Sequence, residues 1–219
     1  CSSIWGGPAA TAPYTVNKVS GHGPAWANSL FEDNAEHGFG MYLGQKVLRD
    51  QAIAKLEEMA ASDKASAEMK AAIAAFMETK NDTKKNAATV PALVAELEKA
   101  AAEGCPVAPE ILAKKQYLSK KSVWIFGGDG WAYDIGFGGV DHVLASGEDV
   151  NILVFDTEVY SNTGGQASKS TPTGAIAQFA AAGKEVKKKD LAAIAMSYGY
   201  IYVAQCAMGA DYNQTIKAF

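Results

Sequence analysis

The middle of the chain carries a helical pattern of apolar and polar positions. No glycine occurs between Gly44 and Gly104, and apolar residues recur there every three or four positions. The clearest sets are Met69, Ile73, Phe76 and Met77, and Val90, Leu93, Val94 and Leu97. This pattern predicts three helices up to about Tyr117, with a break at residues 79–83. Thr89 is a residue type favoured at helix N-caps, so we expect a helix to begin there.

Short apolar runs on either side of glycine-rich loops predict a different structure for the second half. The runs are residues 122–126, 151–155 and 200–204. Runs that are apolar on both faces are typical of strands buried in a parallel sheet. Helical patterns separate them, at residues 131–145, 173–182 and 190–198. Alternating strands and helices of this kind indicate an α/β fold with an open, mainly parallel sheet and flanking helices.

The two patterns together predict one domain, residues 1–219, with an α-helical insertion at about residues 45–118. The insertion is rich in alanine, so a solvated spacer is the alternative to packed helices. The chain begins with Cys1 instead of methionine and shows no signal-peptide pattern. We therefore expect it to be a fragment of a longer protein.

Composition excludes several classes of protein. Of the 219 residues, 48% are hydrophobic and 20% are charged, which is unlike a disordered chain. A net charge of −4 argues against general nucleic-acid binding, and no apolar run is long enough to span a membrane. The three cysteines form no CxxC pair, so they indicate neither a disulfide framework nor a self-contained zinc site.

Candidate chemistry lies in two loops that follow predicted strands. Asp129 lies between Gly128 and Gly130, and Thr157 follows the next strand. In open α/β sheets ligands bind beyond the carboxyl ends of the strands. One carboxylate among exposed amides suits a magnesium ion that bridges to a diphosphate, and Thr157 can add a hydroxyl. Each loop alone is an ordinary turn composition, but the pair is typical of the metal-diphosphate half of thiamine diphosphate enzymes.

Long segments around both loops resemble the pyruvate:ferredoxin (flavodoxin) oxidoreductases. The matching segments are KSVWIFGGDGWAYDIG at residues 121–136, DTEVYSNTGGQ at 156–166, CSSIWG at 1–6, and residues 23–33 and 171–175. The resemblance covers the whole chain and is loosest between residues 44 and 119. It implies a thiamine diphosphate-binding fold.

The resemblance also implies a set of site residues. Magnesium would be bound by Asp129, by the hydroxyl of Thr157 and by the carbonyl of Val159. Asn162 would reach the reaction centre as a catalytic residue, and Phe31 would lie beside the cofactor. The residues implied to line thiamine diphosphate are Gly128, Asp129, Gly130, Trp131, Thr157, Glu158, Val159, Tyr160, Ser161 and Asn162.

Iron–sulfur chemistry is implied through a single cysteine. Cys1 would be one of four thiolates on a [4Fe-4S] cluster whose other ligands lie outside this chain. Cys105 and Cys206 have no counterpart among those ligands, and we expect them to be structural thiols.

The implied activity is oxidative decarboxylation of pyruvate with coenzyme A to acetyl-CoA and CO2, with electrons passed to ferredoxin or flavodoxin. The remaining domains of the parent chain and a homodimer are the implied partners. The implied location is the cytoplasm of a bacterium, or the hydrogenosome or cytosol of an anaerobic eukaryote. We expect the isolated chain to fold without catalysing the reaction.

Three alternatives remain open on the sequence alone. The substrate could be another 2-oxo acid, or the chain could be a non-catalytic scaffold. It could also be a magnesium-dependent phosphate-ester or nucleotide enzyme, which would need a phosphate-binding lysine or a second carboxylate such as Asp134 or Asp156. The lysine run at residues 187–189 is interpreted as a solvated turn, or else as a guide for an acidic electron carrier.

Overall fold

A computed structural model of the chain describes Gly23 and residues 34–219. It divides into two compact units. Of the described residues, one unit comprises Gly23 and residues 34–39 together with Trp124–Phe219, and the other comprises Gly40–Val123. The interpretation as one domain with an insertion at about residues 45–118 stays a prediction.

The second unit is built from helices around an apolar core. Its elements are α1 (Asn34–Ala61, from Gly40 onward), α2 (Ala67–Thr79), α3 (Thr83–Ala102), α4 (Ala108–Leu112) and a 3-10 turn (Lys115–Tyr117). Apolar residues at helical spacing point into one cluster, in which Phe76, Leu93 and Leu97 are fully buried. This packed core agrees with the predicted helices and not with a solvated spacer.

Side-chain caps define the break between α2 and α3. The side chain of Asp82 accepts a hydrogen bond from the Lys85 amide at 2.9 Å, so α3 begins at Thr83. The predicted start at Thr89 is therefore wrong. Pro91 lies inside α3 although it cannot donate to the helical ladder. Burial of the apolar face of α3 outweighs this local penalty.

The first helix begins earlier than the glycine pattern suggests. It starts at Asn34 and contains Gly38 and Gly44. At Gly38 an added Cβ would lie 2.8 Å from Ile125 Cγ1, so close packing requires glycine there. Glycine at this position serves contact with a neighbour and does not end the helix.

The first unit contains the predicted parallel strand pair. Strands β1 (Trp124–Gly128) and β2 (Asn151–Phe155) run parallel, with Gly128 opposite Phe155. A π-helical turn (Gly130–Ile135) and α5 (Phe137–Ala145) connect them. This strand–helix–strand arrangement confirms the α/β fold, with the first strand two residues later than expected.

Shorter elements complete the first unit. Strands β3 (Val159–Tyr160) and β4 (Gln166–Ala167) pair antiparallel. Helices α6 (Leu191–Met196) and α7 (Tyr212–Ala218) are capped by Asp190 and Asp211. None of the helices in the described part of the chain combines the length and apolar composition needed to cross a membrane.

The helix predicted at residues 173–182 is wrong. Gly174 and Gly183 have φ angles of +82° and +94°, and Phe179 has a φ of +65°. A right-handed helix needs negative φ throughout. The segment instead folds back on itself through two backbone hydrogen bonds. The amide of Gly174 donates to the carbonyl of Lys184, and the amide of Lys184 donates to the carbonyl of Ala175.

The strand predicted at residues 200–204 is also wrong. Within the described residues this segment belongs to no strand, and Tyr202 is 75% exposed. The hydroxyl of Tyr200 instead donates to the carbonyl of Leu144 at 2.7 Å. An apolar run forms a strand only where a neighbour completes its hydrogen-bond ladder.

We predict that Leu93→Ala destabilises the helical unit far more than Leu43→Ala. Leu93 is fully buried, so truncation leaves a cavity and should cost about 2–5 kcal/mol. Leu43 is 36% exposed on α1, and the same change there should cost less than about 1 kcal/mol. Urea unfolding followed by circular dichroism measures both losses. Equal losses would contradict this core.

Candidate functional site

Two loops begin side by side at the carboxyl ends of β1 and β2. Gly128 and Phe155 are register partners, and the loops follow directly. The hydroxyl of Thr157 donates to Asp129 Oδ1 at 2.7 Å, across 28 residues of sequence. The parallel register thus brings together the two side chains that the sequence singled out.

The carboxylate of Asp129 is buried and held by hydroxyl groups. Asp129 is 1% exposed. Its Oδ2 accepts from Ser168 Oγ at 2.7 Å and from Ser170 Oγ at 2.5 Å, while Oδ1 accepts from Thr157. In the described part of the chain these partners are all neutral. A buried carboxylate is stabilised best by a positive charge, so this environment suits a bound cation.

The oxygen atoms around Thr157 fit a magnesium donor set. Thr157 Oγ1 lies 2.7 Å from Asp129 Oδ1 and 3.1 Å from the Val159 carbonyl oxygen. Neighbouring ligands of an octahedral Mg²⁺ at its usual bond length stand about 2.9 Å apart, between these two values. The described residues contain no cluster of three or more histidine, cysteine, aspartate or glutamate side chains. The candidate metal ligands around Thr157 are therefore a carboxylate, a hydroxyl and a carbonyl.

A left-handed residue turns the Val159 carbonyl toward Thr157. Glu158 has a φ of +64°, which is uncommon for a residue other than glycine. Its carbonyl accepts a hydrogen bond from the hydroxyl of Thr171, and its carboxylate pairs with Lys188 at 3.1 Å. These contacts hold the unusual backbone conformation.

Aromatic side chains explain the glycines next to Asp129. A Cβ at Gly130 would lie 2.4 Å from the ring of Tyr160, and one at Gly127 would lie 2.1 Å from the ring of Trp131. Trp131 is 2% exposed. Its indole nitrogen has no acceptor within the part of the chain that the structure describes. Glycine is required at both positions because a side chain would displace these rings.

The remaining predicted site residues fall into two groups. Ser161 Oγ lies 3.1 Å from Thr157 Oγ1 and so joins the cluster, whereas Asn162 lies exposed in the turn after β3. Cys1 and Phe31 lie outside the described residues, so their roles stay predictions.

Comparison with known proteins identifies the family. Residues 99–219 match the family described as thiamine pyrophosphate enzyme, C-terminal TPP binding domain. The chain belongs to this family.

Individual relatives are similar over the whole chain. The pyruvate-flavodoxin oxidoreductase of Klebsiella pneumoniae is 57% identical over 218 residues, and the pyruvate:ferredoxin oxidoreductase of Moorella thermoacetica is 55% identical over 222 residues. The pyruvate dehydrogenase [NADP(+)] of Cryptosporidium parvum is 44% identical over 251 residues. All of this chain aligns in each case, with 18%, 19% and 13% of the three relatives respectively. The chain thus spans less than a fifth of the length of these relatives.

Sequence reasoning missed the serines of this TPP-binding domain. Ser168 and Ser170 contact Asp129 from 39 and 41 residues away. They lie next to the 171–175 segment, but neither spacing nor periodicity connects them to Asp129. Serines beside a buried aspartate are visible only once the loops are folded.

The lysine run is not a purely solvated turn. Lys188 Nζ lies 2.7 Å from Asp156 Oδ2, and Lys189 Nζ lies 3.1 Å from the centre of the Phe137 ring. The hydroxyl of Tyr133 also donates to Asp156 at 2.9 Å. The interpretation as a solvated turn is therefore wrong for Lys188 and Lys189.

These contacts shift two pKa values. Burial and then the hydrogen bond to Asp156 raise the pKa of Tyr133, so its hydroxyl stays a donor at neutral pH. Burial acts to lower the pKa of Lys188, but hydrogen bonds to Asp156 and Glu158 outweigh it, and the pKa is raised. Lys188 is therefore positively charged at neutral pH beside the loop that carries Asp156 and Glu158.

The carboxylates required by a phosphate-ester or nucleotide enzyme are engaged elsewhere. Asp134 accepts from the amide and the ammonium group of Lys169, at 2.9 Å and 3.0 Å. Asp156 is held by Tyr133 and Lys188. Neither carboxylate is among the hydrogen-bond partners of Thr157 or Asp129.

We predict that Lys188→Met destabilises the TPP-binding domain at neutral pH by about 1 kcal/mol, because it removes two partly exposed ion pairs. The pKa of Lys188 is raised in the folded state, so its contribution is complete below about pH 10.4 and is lost as pH rises through the raised pKa. Urea unfolding of the parent protein and of Lys188→Met from pH 7 to 11 measures the difference in their unfolding free energies.

Lys187→Met is the matched control, because Lys187 is exposed. It should leave the unfolding free energy within about 0.5 kcal/mol of the parent value. A Lys188→Met effect that is no larger, or that grows above pH 10.4, would contradict the ion-pair assignment.

Proposed function

We propose that this chain forms the metal-diphosphate half of an oxidoreductase active site. The reaction would convert pyruvate and coenzyme A to acetyl-CoA and CO2, with electrons passed to flavodoxin or ferredoxin. The observation that carries the proposal is the oxygen triad of Asp129, Thr157 and Val159 at the edge of the parallel strands. Family membership and the names of two similar relatives support it.

Magnesium would be held by the Asp129 carboxylate, the Thr157 hydroxyl and the Val159 carbonyl. The loops from Gly128 to Trp131 and from Thr157 to Asn162 would line the diphosphate end of thiamine diphosphate. Bound there, thiamine diphosphate would supply the carbanion chemistry that amino-acid side chains lack.

Residues of this chain would bind and orient the reactants. The buried carboxylate of Asp129 would offset the charge of the metal, and the rings of Trp131 and Tyr160 pack against the loop at Gly127 and Gly130. Asn162 lies on an exposed turn, where its amide could hydrogen-bond to a 2-oxo acid and orient it. We therefore keep Asn162 as the proposed catalytic residue.

Electron transfer would involve residues beyond this chain. We propose Cys1 as one thiolate of a [4Fe-4S] cluster, which needs about four such ligands. Within the described residues Cys105 and Cys206 are free thiols. Coenzyme A binding, a homodimer and a cytoplasmic location belong to the same proposal.

Two alternatives lose support from the structure. The carboxylate-based form of a phosphate-ester or nucleotide enzyme loses support within the described residues, because the two candidate carboxylates, Asp134 and Asp156, are bound to other residues. A non-catalytic scaffold would have no need for a buried carboxylate ringed by hydroxyls. Another 2-oxo acid as substrate is the alternative that a comparison of turnover rates tests.

We predict that Asp129→Asn abolishes magnesium-dependent binding of thiamine diphosphate. The substitution keeps the shape of the side chain and removes the negative charge that the metal would need. Affinity in the native protein should fall by more than about a hundredfold. Isothermal titration calorimetry with thiamine diphosphate at fixed Mg²⁺ measures the loss.

Asp63→Asn is the matched control, since Asp63 is exposed in the helical unit. It should bind the cofactor like the parent protein. Unchanged affinity in a folded Asp129→Asn protein would reject the site.

Substrate and acceptor are tested with the native protein loaded with cofactor. We expect coenzyme A consumption with pyruvate to exceed that with larger 2-oxo acids. We also expect electrons to reach flavodoxin or ferredoxin in preference to NADP⁺. Equal or faster turnover of another 2-oxo acid would contradict pyruvate as the preferred substrate. It would not contradict the proposed metal site.

A further inference from the structure

One short turn contacts both loops that carry the proposed metal ligands. It comprises residues 168–171, and we call it the serine clamp. Ser168 and Ser170 donate to Asp129 Oδ2, and Thr171 donates to the carbonyl of Glu158. All three hydroxyl-bearing residues are buried, with at most 4% exposure. The clamp therefore links the Asp129 loop to the Glu158 turn.

The two serines restrict rotation of the Asp129 carboxylate. Both of their hydroxyls reach the same oxygen, Oδ2, at 2.7 Å and 2.5 Å. The other oxygen, Oδ1, faces Thr157. A carboxylate with two donors on one oxygen cannot turn without breaking both hydrogen bonds, so Oδ1 stays directed at Thr157.

The third hydroxyl acts on the backbone that carries Val159. Glu158 has a φ of +64°, a conformation that costs energy for a residue with a side chain. The hydrogen bond from Thr171 to the Glu158 carbonyl stabilises that conformation. Relaxation of Glu158 would turn the next carbonyl, that of Val159, away from Thr157.

Hydrogen bonds within the turn keep the clamp rigid. The amide of Ser170 donates to Ser168 Oγ at 3.1 Å, and the amide of Ser168 donates to Thr171 Oγ1 at 2.9 Å. Lys184 Nζ donates to the carbonyl of Thr171 at 2.5 Å. Contacts within the turn and from Lys184 thus hold these groups in place.

We propose that Ser168, Ser170 and Thr171 are positioning residues for the metal that binds the diphosphate. They act through Asp129 and Glu158 and not by direct ligation. The inference rests on the proposed function, because it assigns the clamp to the same metal site. Partners that orient metal ligands typically change metal affinity tenfold to a hundredfold when they are removed.

The test measures metal binding directly in the native protein. Mn²⁺ is the probe, because it accepts the same oxygen ligands as Mg²⁺ and is visible by electron paramagnetic resonance. With thiamine diphosphate present, we expect the Ser168→Ala/Ser170→Ala double variant to bind Mn²⁺ about tenfold to a hundredfold more weakly. We also expect its bound spectrum to change.

Two further substitutions separate positioning from general stability. Thr171→Val removes the hydroxyl and should weaken Mn²⁺ binding, whereas Thr171→Ser keeps it and should restore binding. Ser146→Ala is the matched control, because that hydroxyl donates to the Val143 carbonyl at the end of α5. It should leave both affinity and spectrum unchanged.

The outcomes distinguish the inference from the proposed function. Parent-like Mn²⁺ affinity and spectrum in the double serine variant, with loss of binding in Asp129→Asn, would overturn the clamp alone. Parent-like binding in Asp129→Asn would overturn the metal site itself. If the double serine variant fails to fold, the Thr171 pair decides, and equal binding by Thr171→Val and Thr171→Ser would reject the clamp.

Discussion

A carboxylate removed from water must find compensation inside the protein, and in this chain that requirement organises the site. Asp129 is 1% exposed and accepts hydrogen bonds from three hydroxyls on two loops. Each hydroxyl offsets part of the desolvation cost, but none carries a charge. The site is therefore stable enough to form and still retains a net attraction for a cation. The same group thus links folding of the loops to the proposed chemistry.

Backbone constraints around Asp129 follow from the same arrangement. Gly130 must lack a side chain because the ring of Tyr160 occupies that space. Glu158 adopts a left-handed conformation, held by Thr171 and Lys188, so that the Val159 carbonyl faces Thr157. Strain of this kind persists only where surrounding contacts outweigh its cost. The contacts that outweigh it belong to the serine clamp and to the lysine run.

Sequence patterns predicted the regular elements well and the irregular ones poorly. The strand at residues 151–155 is confirmed, because its apolar run lies beside a parallel partner, β1. The helix expected at residues 173–182 fails because glycines at positive φ close the segment into a loop. The strand expected at residues 200–204 fails because, in the described part of the chain, no ladder partner lies beside it. Local apolar spacing cannot reveal either condition.

The sequence by itself determined which two loops carry the proposed chemistry. An aspartate after one buried strand and a threonine after the next must meet if the strands are parallel neighbours, and the register of Gly128 with Phe155 satisfies that condition. Only the tertiary structure decided what surrounds them. Ser168, Ser170 and Lys188 reach the site from 30 to 41 residues away. Their contacts depend on the path of irregular loops, and irregular loops produce no periodic pattern of apolar and polar residues in the sequence.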